Sequence, residues 1–260
     1  MFRSLNIAST GMVAQETKLD TISNNLANAN TSGYKRQDAE FEDLLYQNLR
    51  TPGANAAGGV APTAVQVGSG VRVVATSRAF SQGAIQQTGN PLDVAIEGNG
   101  FFQVTRPSGE IAYTRAGNLK LDSQGRITTS DGLPIEPAIS VPPDATKVTI
   151  AADGTVSATQ AGQTNPSNVG QLQLVTFANP GGLNAIGHNL FEGSAAAGDP
   201  TLGTAGTEGR GTFMQGAVEG SNVEVVTEMI GLIRTQRAYE VNSKVIAAAD
   251  EMLRDATQMK

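Results

Sequence analysis

Cysteine is absent from this 260-residue sequence and histidine occurs once, as His188. Without cysteine there is no disulfide framework, no thiolate nucleophile and no sulfur-rich zinc or iron–sulfur site. In a chain that crosses a membrane unfolded, the same absence removes premature crosslinking in an oxidising compartment. A lone histidine, flanked by Gly187 and Asn189, excludes a histidine-rich metal site and leaves little for a Ser-His-Asp arrangement. Charged residues are scarce at 16%, the net charge is −6, and no Lys/Arg run interleaved with aromatics occurs. These features disfavour phosphate backbones, so nucleic acid is not an expected partner. No stretch reaches the apolar length that spans a bilayer, and membrane insertion is not expected. Residues 1–20 lack an unbroken apolar run followed by a small-residue cleavage site. A cleavable secretory signal is therefore not expected, which leaves a cytoplasmic protein or one exported with its N-terminus intact.

Short motifs that resemble chemistry lack their context. Ser32-Gly33-Tyr34-Lys35 matches the S-x-x-K of penicillin-interacting serine hydrolases and Ser130-Asp131-Gly132 weakly matches their second motif, but no K-T-G follows. A periplasmic serine hydrolase resting on Ser32 and Lys35 is the alternative from a different functional class. Gly68-Ser69-Gly70 and Gly98-Asn99-Gly100 are too short for a dinucleotide loop. Asp122, Asp131 and Asp153 each lie beside a turn glycine and lack the ligand spacing of a calcium loop. No catalytic, cofactor-binding or metal-ligating residue is expected.

The sequence is rich in turns instead. Its 30 glycines and 11 prolines fall mostly between the two ends, while 39% apolar residues suffice for a real core. From Val71 onward, short alternating runs separated by Gly, Asp-Gly and Ser-Gly predict strands. They include Val71 to Thr76, Leu92 to Ile96, Ile111 to Arg115, Val148 to Ile150 and Leu172 to Phe177. Gly98-Asn99-Gly100 predicts a hairpin joining Leu92–Ile96 to Phe101–Val104, and 181–211 reads as loop-rich. Residues 37–49 read as a short helix or an extended segment, and 51–70, rich in Gly and Pro, as an extended irregular one.

Both ends read as helices. Leu5, Met12, Leu19 and Leu26 recur every seven residues, interleaved with Ala8, Gln15, Ile22 and Ala29, which is a coiled-coil stripe. Gln15 places a polar group in that seam, where it is expected to set register. The first helix is predicted over 3–28, stopped by Asn24, Asn25, Asn28 and Asn30 and by Thr31-Ser32-Gly33. At the other end Ser221 and Glu224 predict a capping box opening a helix that runs to about Met259. Val226, Ile230, Ile233, Val241, Val245, Ala248 and Met252 share one face of it, and Met229, Leu232, Tyr239, Ile246 and Leu253 a second. One partner helix cannot cover both faces. Either the two helices close as an intramolecular hairpin over a β domain, or the chain is a subunit of a polymer with a helical core. On the second reading the core comprises Leu5, Met12, Leu19, Ile22, Leu26, Val226, Met229, Ile230, Ile233, Tyr239, Val241, Val245 and Leu253.

The predicted fold class is thus α+β, with terminal helices forming a coiled-coil-like domain around a mostly antiparallel β domain. The predicted divisions are 1–35, packing with 222–260; an extended segment at 36–70; and a β-rich domain at 71–221.

Three ordered motifs resemble the axial proteins of the bacterial flagellum, a family that includes rod and hook subunits. The run from Ser23 to Thr31 followed by Gly33-Tyr34-Lys35 is similar to the family's N-terminal signature. Thr88 to Ile96 with Gly98-Asn99-Gly100-Phe101-Phe102, then Tyr113 to Asn118, resembles its shared β region. Gln236-Arg237-Ala238-Tyr239-Glu240 and Asn242-Ser243-Lys244 resemble its C-terminal helix. Phe41 to Tyr46, followed by the Gly/Pro-rich segment, resembles the rod branch; a hook subunit would carry a further outer β domain. The resemblance implies a non-enzymatic subunit, without cofactor, exported by the flagellar type III apparatus and polymerised into a hollow, torque-transmitting rod that crosses the periplasm. It implies as partners other copies of the chain, proximal rod proteins and hook protein end to end, and the surrounding P- and L-ring proteins. Another axial protein, proximal rod or hook, is the nearer alternative.

Overall fold

In the computed structural model, residues 2–50, 55–56, 59–60, 63–162 and 165–258 are described. The chain is α+β and divides into two compact units. The first gathers helix α1 (Phe2–Ala27), the Gln37–Arg78 segment and helix α2 (Val225–Gln258). The second gathers Asn28–Arg36 and Ala79–Val223.

In the first unit, α1 ends where asparagines accumulate, since their side chains compete with the helical ladder for backbone groups. Asn25 does so directly. Its amide accepts the Gln37 N–H at 2.9 Å and donates to the Gln37 carbonyl at 2.7 Å, pairing with the backbone as a neighbouring strand would. An antiparallel ribbon starts at that point, Gln37–Asp43 against Val71–Arg78, with a bulge at Glu40/Phe41. The extended reading of 37–49 is therefore the one realised. The ribbon continues through Gln47–Arg50 against Val65–Val67 and Asn55–Ala56 against Gly59–Val60. Within 51–70, predicted as extended and irregular, 55–56, 59–60 and 65–67 are paired strands, 63–64 and 68–70 are irregular, and 51–54, 57–58 and 61–62 lie outside the described residues.

α2 begins at Val225, three residues later than the predicted capping box requires. The Glu224 carbonyl accepts the Glu228 N–H at 3.0 Å, while the Glu224 carboxylate accepts the Thr227 hydroxyl at 2.8 Å. That bond replaces the expected return to Ser221, whose hydroxyl takes the Val223 N–H at 3.3 Å. Further along α2, Asp250 and Arg254 pair one turn apart at 2.9 Å. Met259 lies outside the described residues.

The second unit is built from antiparallel strands. A five-stranded sheet runs in the order Ile135–Glu136, Phe102–Thr105, Ile111–Thr114, Leu190–Glu192, Asn184–Gly187. A three-stranded sheet joins Ala145–Ile150, Thr155–Gln160 and Ser167–Gln171. Two of these strands, with Thr201–Thr204, fall in the span that reads as loop-rich from sequence; they are short and lie between glycines, which hides them.

The predicted hairpin at Gly98-Asn99-Gly100 does not form. Val94–Glu97 pairs with Thr212–Gln215, and Phe102–Thr105 pairs instead with Ile111–Thr114 and Ile135–Glu136. The three residues form a corner, with Gly98 and Gly100 at φ of 102° and 144°, values open only to glycine at low cost. A Cβ on Gly98 would stand 3.0 Å from the Gly211 Cα. The adjacent phenylalanines show why a two-stranded hairpin was the wrong expectation. Phe102 enters the main core with Val94, Ile96, Val104, Leu172 and Leu174, while Phe101 enters a second cluster with Tyr113, Val175, Phe177 and Phe191. A segment buried on both faces needs a sheet and a second layer.

Candidate assembly surfaces

Within the first unit α1 and α2 pack antiparallel in a constant register. Asn25 Nδ2 lies 3.4 Å from Glu228 Oε2, Gly231 faces Ile22, and Gly11 faces Asn242, so equal steps along the two helices run in opposite directions. The seam is made of small and polar residues. Glu228, Thr235 and Ala249 are the buried residues of α2, and with Asn242 they repeat every heptad. On α1 the buried residues are Ala8, Ala14, Thr21, Ile22 and Asn25. Gln15 is half-buried, the polar contact across the seam at its Asn25 end is with Glu228, and Asn242 packs over Gly11, where the missing side chain leaves it room.

Most of the large apolar residues of α2 face away from this seam, while Leu232 and Ile246 are half-buried. Val226, Ile233 and Val241 are 64%, 47% and 58% exposed, and Met229, Ile230, Tyr239 and Val245 are exposed as well. Leu253 is half-buried. On α1, Ile22 is buried, while Leu5, Met12, Leu19 and Leu26 are half-buried. The structure therefore splits the expected core residues into an α1 set that is half-covered, with Ile22 buried, and an α2 set that is exposed apart from half-buried Leu253. The polar seam was missed from sequence because hydrophobicity was the signal followed; the heptad spacing of Glu228, Thr235 and Asn242 was the readable clue.

In the second unit, one carboxylate organises five chain segments. Glu219 has a fully buried side chain and ends the strand Ala217–Glu219. Its Oε1 accepts Lys35 Nζ at 2.7 Å and the Gly83 N–H at 2.8 Å, its Oε2 accepts Arg115 Nε at 2.7 Å, and its carbonyl accepts the Gly33 N–H at 2.8 Å. Lys35 Nζ also donates to the Ser81 carbonyl at 2.7 Å, and Arg115 donates to the carbonyls of Gly100 and Gly98 at 3.1 and 2.9 Å. Burial pushes the Lys35 ammonium below the usual lysine range and the Arg115 charge adds to the shift, against the opposing pull of the Glu219 carboxylate. Gly33 has to be glycine for the chain to enter this node. It sits at φ 73°, and a Cβ would stand 2.7 Å from the Ala116 nitrogen. Asn222 completes the arrangement by accepting the Arg36 N–H at 2.6 Å and donating to the carbonyls of Ala79 and Ser81 at 2.8 and 3.2 Å.

This geometry bears on the hydrolase alternative. Lys35 Nζ is held by Glu219 and Ser81, which leaves it committed to structure and not to activating the Ser32 hydroxyl. His188 stands on an exposed turn at φ 53°, with Nδ1 3.5 Å from Asp131 Oδ2. Among the described residues no cluster of His, Asp or Glu could hold a metal ion, and no described helix is long and apolar enough to cross a membrane.

Three family models match the chain: a flagella basal body rod protein model over 5–35, the D1 domain of flagellar hook protein FlgE/F/G over 95–158, and the C-terminal model of flagellar basal body rod FlgEFG proteins over 214–259. Over 260 residues the chain is 48% identical to the flagellar basal-body rod protein FlgG of Caulobacter vibrioides, covering 99% of each chain. It is 47% identical to the FlgG of Buchnera aphidicola from Schizaphis graminum, covering 100% of both. Against the FlgG of Bacillus subtilis the identity is 38% over 268 aligned positions, again with 100% of both chains covered. The matched spans contain the α1 seam, the strand that opens the β core and the exposed face of α2.

Proposed function

We propose, from the premise that this chain belongs to the flagellar basal-body rod protein family and is a structural subunit of the flagellar rod, that it polymerises through its helices into the distal rod. The product is a hollow helical drive shaft that passes torque to the hook, from the periplasm to the outer membrane. Its neighbours along the axis are further copies, proximal rod proteins below and hook protein above, and the P- and L-ring proteins surround it. The subunit arrives through the flagellar type III export apparatus.

The observation that carries the polymerisation reading is the outward apolar face of α2. The chain's own N-terminal helix covers the Glu228–Thr235–Asn242–Ala249 side and leaves Val226, Met229, Ile230, Ile233, Val241 and Val245 exposed. Burying such a side chain fully stabilises by about 1.5–3 kcal/mol, so a face of six favours covering by neighbouring copies. Leu5, Met12, Leu19, Ile22, Leu26, Tyr239 and Leu253 complete the proposed polymerisation core.

Replacing Ile233 by Asp in the full chain tests this. A carboxylate buried in a subunit contact costs several kcal/mol and the polymer repeats that cost at every copy. The expected outcome is exported protein with an intact β unit by circular dichroism, no rod by electron microscopy and loss of motility, whereas Ile233→Leu assembles. Normal rods built from the Asp variant would overturn the reading.

A further inference from the structure

The second unit contains a cavity of about 430 Å³ with three phenylalanines in a wall of mixed polarity. Phe80, Phe101, Phe177 and Pro180 line it, together with Arg115 and Glu208. The rings brace one another edge to face: Phe80 and Phe101 lie 5.4 Å apart at 72°, and Phe101 and Phe177 5.9 Å apart at 72°. A wall of interlocked rings is formed in advance of any occupant, which lowers the cost of binding.

The polar side of the cavity is set by the Glu219 node. Arg115 directs Nε to Glu219 and one N–H of each terminal nitrogen to Gly100 and Gly98. That leaves a second hydrogen on each terminal nitrogen without a partner among the described residues. Arg115 and Glu208 are the ionisable residues that line the cavity, and Glu208 is already paired with Arg210 Nη1 at 2.8 Å, so the outer hydrogens of Arg115 are the cationic feature open to an incoming carboxylate. An apolar knob accompanied by a carboxylate suits such a site.

The first unit presents such a knob. Leu45 is 90% exposed, the most exposed of the large hydrophobic residues described. It is presented on a braced bend: the Leu44 N–H donates to the Gly70 carbonyl at 2.9 Å, and the Ser69 hydroxyl donates to the Leu45 carbonyl at 2.8 Å. Tyr46 lies over Gly68, and the nearby Asp43 carboxylate raises the tyrosine pKa. Leu45 therefore carries a carboxylate two residues away on an ordered bend. A single knob and a single hole on different surfaces of one chain form a heterologous contact, the kind that propagates an open helix.

We propose that the Phe80–Phe101–Phe177 cavity of one subunit receives Leu45 of a second copy, with Asp43 directed toward Arg115. The proposal rests on the rod-subunit reading and adds to it a contact remote from the helices, which would resist sliding between neighbours.

The absence of natural cysteine makes the test direct. Leu45→Cys and Ala178→Cys, the latter an exposed residue of the cavity wall, are made singly and together in the full chain. Basal bodies are purified and oxidised, and their rods are imaged by electron microscopy. The expected result is a ladder of crosslinked multimers from the double variant, dimers from coexpressed single variants, and monomers from either single variant alone. Rods that contain the double variant but yield no crosslink overturn the proposal while leaving the rod-subunit reading intact. So does a product of Ala178→Cys alone that links the cavity to a different protein. If a cysteine chain does not assemble unaided, both single variants are coexpressed with wild-type chain, and incorporation without the mixed dimer, or no incorporation, counts against the docking. Basal bodies whose rods lack even the wild-type chain would instead overturn the rod-subunit reading.

Discussion

Gly11 on α1 faces the side chain of Asn242 on α2, and a Cβ at Gly11 would stand 2.9 Å from the Asn242 amide nitrogen. Glycine in a helix interior costs about 1 kcal/mol relative to alanine, so its presence there is explained by the close approach it permits. Gly11→Ala is expected to be near neutral, because the gain in helix propensity offsets a contact that the end of a flexible side chain can relieve. Gly11→Leu is expected to destabilise the helix pair by about 1–3 kcal/mol through overpacking. Amide hydrogen exchange checks this: the variant should speed exchange in α1 and α2 and leave 94–215 unchanged, and adding Asn242→Ala should recover part of the protection.

Glu219→Gln should be the most damaging single change in the β-rich unit. It keeps the shape of the side chain but leaves Lys35 and Arg115 as two buried cations with no carboxylate between them. Breaking a buried ion pair by removing one partner costs about 3–5 kcal/mol. Thermal unfolding of the full chain should therefore show a clear drop in the transition assigned to β structure, whereas exposed Glu110→Gln should hardly move it.

The lowered pKa of Lys35 gives a signed pH effect. Between its folded-state pKa and the ordinary lysine value of 10.5, the unfolded chain binds more protons at this position than the folded one. Stability contributed by this site therefore rises with pH through that window and levels off above it. The measurement is the difference in unfolding free energy between wild type and Lys35→Met from pH 7.5 upward. Wild type should gain on the variant as the medium becomes alkaline, and a difference that stays flat or falls would refute the assignment.

What could be read from the sequence follows from where the chemistry is local. The stop of α1 rests on Asn24, Asn25, Asn28 and Gly33, all neighbours in the chain, and it was legible to within a residue. The exposed face of α2 was legible as an excess of apolar residues over what one partner covers. The polar seam was not, because Asn25 and Glu228 gain meaning only when a helix from each end meets the other. The Glu219 node was hidden for the same reason: its carboxylate gathers residues 35, 83 and 115 and its carbonyl residue 33, and no local pattern marks it. At Gly98-Asn99-Gly100 the local signal was present but ambiguous, since the same glycines serve a reversal or a corner. Partners as remote as Thr212–Gln215 decided between them.

The ribbon of 37–78 offers a test of stiffness. A drive shaft resists bending only if each subunit holds contacts beyond its helical core that cannot slide, and an ordered ribbon can supply them. Arg50 is paired with Val65, so deleting Thr51 to Pro62 leaves Thr63 and Ala64 as a two-residue connection between strands that already pair. Such a connection is compatible with an antiparallel hairpin, and the Leu45 bend, braced by Gly70 and Ser69, lies outside the deletion. Export, folding and helix-core polymerisation should therefore survive. If the distal ribbon contacts a neighbouring subunit, the shortened chain should build rods that bend more readily or stop at a different length, measured as curvature and length distributions in electron micrographs of purified basal bodies. Deletion rods with unchanged curvature, length and rigidity would show that 51–62 only closes the ribbon, and would confine any stiffening contact to Leu45 and the strands on either side of it.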